Sequence, residues 1–153
     1  MLERLQKLFN SLTGHERGKA KLTRDDPRVA AAALFFHVVD ADGTVSDEER
    51  GKLRDAIASA YKLKGGELDA VLKAGERADD EAVDLYGFTS VLKRALDSEQ
   101  RIAFVELLWE VVLADGERHE LEENVVWRIS ELLGVSTRQR VWARQRAEGG
   151  FGE

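Results

Sequence analysis

The chain has 153 residues, no cysteine and a formal net charge of −6, with 43% hydrophobic and 34% charged residues. This length and balance suit a single globular domain with a real core. They exclude disulfides, thiolate metal sites and cysteine nucleophiles, and they argue against nucleic acid as the main partner, because phosphate binding needs a basic face.

Residues 2–12 place Leu2, Leu5, Leu8, Phe9 and Leu12 at helical spacing, which predicts a short amphipathic helix. Its apolar side is expected to pack on the domain or on a partner chain, since only Arg4 and Lys7 supply the positive charge that a membrane surface favours. The same segment is charged throughout and lacks the apolar stretch and cleavage site of a signal peptide. No apolar run approaches the roughly 20 residues needed to span a bilayer. The expected location is the cytoplasm. Residues 13–24 are a polar, glycine-containing linker.

Asp25-Asp26-Pro27 predicts a helix start, with Asp as cap and Pro at the first helical position. The run from Val29 carries four consecutive alanines and continues as Leu34-Phe35-Phe36-His37-Val38-Val39 to Asp42, a largely buried helix ended by Gly43. Ser46-Asp47-Glu48-Glu49 is a capping box opening a helix whose face carries Leu53, Ala56, Ile57, Ala60 and Tyr61. Gly65-Gly66 is expected to stop it. Glu67 to Ala74 predicts a short helix and residues 75–83 an acidic, loop-like stretch. Helices are expected over Asp84–Leu96, Ile102–Ala114, Glu122–Leu133 and Ser136–Arg144, and no convincing period-two strand pattern occurs. The fold class is therefore all-α, a single domain of about seven helices.

Two stretches match. Ala41-Asp42-Gly43 returns as Ala114-Asp115-Gly116, 73 residues later, and a Glu follows the Asp by seven residues in both, Glu49 and Glu122. The hairpins over 29–63 and 102–135 thus read as pseudo-symmetric copies, with Phe36 aligned to Trp109, Leu53 to Val126 and Ala60 to Leu133. In each copy the Asp closes one helix and the Glu opens the next, both towards the interior side. An Asp in a last helical turn meets the negative end of the dipole at a cost of about 0.3–1 kcal/mol, and it persists best beside donors or a cation. Four neighbouring carboxylates repel unless something neutralises them.

Candidate metal ligands are therefore Asp42, Glu49, Asp115 and Glu122, with Asp40 as a further one. An all-oxygen set suits Ca²⁺, Mg²⁺ or Mn²⁺. The competing reading is structural: Asp-Gly is a common turn pair, and Glu49 is explained by its capping box. Glu122 is less well explained, because His119 stands where Ser46 caps the first copy. An EF-hand register fails at its first position, which is Val38. His37, with Asp40 three residues on, adds a weak ligand or base. No Ser-His-Asp arrangement with a nucleophile elbow, P-loop, GxGxxG or HExxH motif is present.

The doubled Ala-Asp-Gly with its Glu, together with the closing Leu132-Leu133-Gly134-Val135, resembles the TerB tellurite-resistance family, a superfamily that includes the N-terminal domain of the co-chaperone DjlA. The likeness covers about residues 27–146. It implies an all-α cytoplasmic domain of stress or tellurite resistance, sometimes near membrane complexes, whose acidic positions have been suggested to hold metal. The expected organisation is an N-terminal helix and linker over 1–24, a TerB-like domain over 25–148 and a loose tail over 149–153. The favoured function is a non-enzymatic domain binding a divalent cation or a partner through its acidic turns. The alternatives are a protein-interaction module that docks through its N-terminal helix and Trp142, with structural acids, and, least favoured, a metal-dependent hydrolase.

Overall fold

The computed structural model describes residues 22–43, 45–116 and 119–152, so the amphipathic helix expected over 2–12 lies outside the described residues. Among the described residues there are seven helices and no strand: α1 (Pro27–Val39), α2 (Asp47–Tyr61), α3 (Gly65–Glu81), α4 (Tyr86–Ala95), α5 (Ser98–Val112), α6 (Glu120–Leu132) and α7 (Thr137–Gly152).

The centre is α1. Asp26 caps it, accepting from the Arg28 N–H at 2.9 Å, and Pro27 fills the position where no N–H is needed. Arg28 to Phe36, Val38 and Val39 are all buried, and only Pro27 and His37 of this helix are partly exposed. It packs against α2, α3, α4, α5 and α6. The alanines permit this crowding, because small side chains let other helices come close.

The closest approach is to α3. A Cβ on Gly75 would lie 2.4 Å from Ala32 Cβ. This corrects the expectation of a loop over 75–83. Leu68, Val71, Gly75 and Ala78 form one buried stripe, and the helix runs on to Glu81 because tertiary packing outweighs the weak helix preference of glycine. Nor do Gly65 and Gly66 stop α2. Lys62, in the left-handed region at φ 55°, ends it, and Gly65-Gly66 form the first turn of α3.

The second half builds around α5, which Asp97 and Gln100 open with a reciprocal capping box. Phe104 meets Phe35 of α1 edge-on at 5.4 Å between ring centres. Trp109, fully buried, meets Trp127 of α6 in the same way at 5.2 Å. From α7, Arg140 stacks on Trp127 and Arg144 on Trp109, fastening that helix to the pair. The helix continues as far as Gly152, past both the Arg144 where its sequence pattern stops and the start of the expected tail. Phe36, Trp109, Leu53, Val126, Ala60 and Leu133, the residues aligned between the two hairpins, are all buried.

Candidate metal centre

Both Asp-Gly stretches fold into the same turn. After α1, the Ala41 N–H bonds the Val38 carbonyl at 3.2 Å and the Gly43 N–H bonds Asp40 at 3.0 Å. After α5, Ala114 bonds Val111 at 3.2 Å and Gly116 bonds Leu113 at 3.1 Å. Gly43 and Gly116 have φ of 80° and 75°, a region that glycine occupies at no steric cost. The helices end at Val39 and Val112, so Asp42 and Asp115 stand in the turns rather than in the last helical turn as the sequence suggests. Val38, at the first position of the rejected EF-hand register, is in the core.

The two turns bring their acids together. Asp42, His119 and Glu122 form one group and Glu49, Asp115 and His119 another, with the potential ligand atoms of each group within 4.8 Å of one another. His119 belongs to both. Its Nε2 lies 2.9 Å from Asp115 Oδ2, while Nδ1 lies 3.6 Å from Asp42 and 3.7 Å from Glu122. Side-chain exposure falls from 28% at Asp42 through 15% at His119 and 10% at Asp115 to 0% at Glu122. The cluster thus runs inward from the partly exposed Asp42 to the fully buried Glu122.

Local sequence explains each placement. Ser46 caps α2, with its hydroxyl accepting from the Glu49 N–H, and Glu49 Oε1 accepts from the Ser46 N–H at 3.2 Å. The capping box thus occupies one oxygen of Glu49, and the buried Oε2 has no hydrogen-bond partner. At the start of α6, His119 takes the cap position but makes no capping bond, and its ring turns to Asp115 instead. Glu122, three residues on, is left without the partner that Ser46 gives Glu49. Both of its oxygens are buried with no hydrogen-bond donor.

Burial, then the neighbouring Glu49, then the charges of Asp42 and Asp115, push the Glu122 carboxyl up to about 10. An ionised Glu122 beside Glu49 is two acceptors facing each other. A proton shared between them, or a cation, resolves the conflict. For His119, burial favours the neutral ring, but the hydrogen bond to Asp115 and the charges of Asp115, Glu49 and Asp42 outweigh it and raise its pKa. Buried carboxylate oxygens without a hydrogen-bond donor, grouped with other acids and a histidine, fit a cation.

Two expected ligands stand apart. Asp40 caps the end of α1, is exposed, and belongs to neither group. His37 does not turn to Asp40; its Nδ1 lies 2.8 Å from Asp79 of α3. His119 is the residue that sequence reasoning missed. Its spacing, four after Asp115 and three before Glu122, was the available sign.

The chain belongs to the TerB family: the family model for tellurite resistance protein TerB matches residues 28–145. Among curated proteins it is similar to the co-chaperone protein DjlA of Vibrio vulnificus strains YJ016 and CMCP6, 27% identical to each over 151 residues. Those alignments cover 97% of this chain and 52% of each relative, so the chain spans about half their length. No solved structure gives a significant match. Among the described residues, no helix is long and apolar enough to cross a membrane.

Proposed function

We propose that this TerB domain is a non-enzymatic, cytoplasmic module that takes up a divalent cation between its two Asp-Gly turns, in the tellurite-resistance setting that the family description suggests and a wider stress response. The observation that carries the reading is Glu122: fully buried, with no donor for its oxygens beyond a proton shared with the neighbouring Glu49. A cation supplies the missing positive charge and ties the α1–α2 turn to the α5–α6 turn. Binding in this reading holds a conformation.

Thermal unfolding of the metal-stripped chain with millimolar Ca²⁺, Mg²⁺, Mn²⁺ or Zn²⁺ tests it. A cation that binds only the folded state adds about 2.7 kcal/mol at a hundredfold excess over Kd. The shift is expected for at least one metal and is expected to vanish in Asp42→Asn/Asp115→Asn. No shift with any metal, or an equal shift in the double variant, removes the reading.

A second reading, as a protein-docking module, is supported by Val141 and Trp142, adjacent on α7 and each 41% exposed, and by the co-chaperone name of the relatives. It predicts that a chain lacking residues 1–12, or carrying Trp142→Ala, loses partner capture while its unfolding midpoint is unchanged.

A further inference from the structure

We propose that His119 is itself a ligand of the cation, through Nδ1 beside Asp42 and Glu122, and that it selects a first-row transition ion over calcium and magnesium. This deepens, and rests on, the cation reading above.

The distances separate the two nitrogens. Nε2 approaches Asp115 at 2.9 and 3.2 Å, the range of a hydrogen bond. That contact holds one side of the ring, and once the ring carries its single proton on Nε2 the Nδ1 lone pair is open to a cation that displaces the second proton. Nδ1 stands 3.6 Å from Asp42 Oδ2 and 3.7 Å from Glu122 Oε2, too far to bond either directly. Donors around a four-coordinate ion with bonds of about 2.0–2.1 Å sit about 3.4 Å apart. The spacing is therefore that of a ligand shell to within a few tenths of an ångström, and a cation draws the three groups inward rather than apart.

The second observation is the burial of one of the acids. Glu122 is fully buried, no group other than a proton shared with Glu49 satisfies its oxygens, and it lies in one group with Asp42 and His119. Calcium and magnesium favour all-oxygen shells, whereas imidazole nitrogen suits zinc, nickel, cobalt and iron. A nitrogen fixed at the centre of the cluster therefore narrows the class of ion that carboxylates alone leave open.

Asp115 then acts as a positioning residue. It accepts the Nε2 proton and keeps Nδ1 towards Asp42 and Glu122, as carboxylates behind metal-bound histidines do.

Calorimetric titration of the metal-stripped full chain with Co²⁺, Zn²⁺ and Ca²⁺, together with the electron paramagnetic resonance spectrum of its Cu²⁺ complex, tests this. Co²⁺ and Zn²⁺ are expected to bind at least tenfold more tightly than Ca²⁺, and the Cu²⁺ spectrum to show nitrogen coupling. His119→Asn should lower the Co²⁺ and Zn²⁺ affinities at least tenfold, leave Ca²⁺ within about twofold and abolish the coupling. Asp115→Asn should weaken binding by about 10–100-fold while the coupling stays. Calcium binding as tightly as cobalt, or an oxygen-only copper spectrum in the unmodified chain, overturns the assignment of His119 while leaving cation binding intact. No binding by any of the ions overturns the cation reading itself.

Discussion

Substituting Glu122 by Gln tests the electrostatics of the cluster without any cation. Gln keeps the size of the side chain, removes its charge, and offers an N–H donor to the unpartnered Glu49 Oε2. In the parent, the Glu122 pKa rises from 4.5 to about 10 on folding. Between those values the folded state holds a proton that the unfolded chain has released. The stabilisation is full below pH 4.5 and is lost as pH climbs towards 10. At about 1.4 kcal/mol per pH unit, moving from pH 6 to pH 8 costs up to roughly 3 kcal/mol, or about 6–12 °C in Tm for a chain of this size. His119, also raised, contributes in the same direction until pH passes its folded-state value. Glu122→Gln should therefore retain only a shallow fall and be the more stable protein at pH 8. Urea unfolding in EDTA at pH 6, 7 and 8 measures this. Parallel curves for parent and variant, or a variant destabilised equally at every pH, would refute the account of Glu122.

Two further outcomes follow from the packing. Gly75→Ala would gain about 1 kcal/mol from helix preference alone, but the new Cβ meets Ala32 at 2.4 Å, so a net loss of about 1–2 kcal/mol is expected in urea unfolding. Arg144→Ala removes both the stack on Trp109 and the 2.8 Å bond to Glu123, whose side chain is 6% exposed; a loss of about 2–3 kcal/mol is expected, largely recovered when Glu123→Gln is added.

The legibility of this chain in its sequence follows the range of each interaction. Ser46 and Glu49 lie three residues apart, and their capping box is fully encoded there. So are the paired turns, whose Ala-Asp-Gly places glycine where φ is positive. The 75–83 stretch misleads because the reason for its helix is Ala32, more than forty positions away, and a glycine that breaks an isolated helix is the residue that fits this crossing. The convergence of Asp42, Glu49, Asp115 and Glu122 was foreseeable as a pattern. The place of His119 among them is hinted at only by its spacing from Asp115 and Glu122, because it stands at a cap position and its role depends on how two distant turns meet.

The enclosure of α1 has a consequence for motion. A helix wrapped on nearly every side has no outer edge from which to fray, and its backbone amides have no local route to water. Deuterium should therefore enter Ala31 to Val39 last, at the rate of global unfolding, while α7, packed chiefly on α5, exchanges through partial opening. The centre of the fold would then act as the timekeeper for the whole domain, and any ligand that slows its exchange must have stabilised the entire chain.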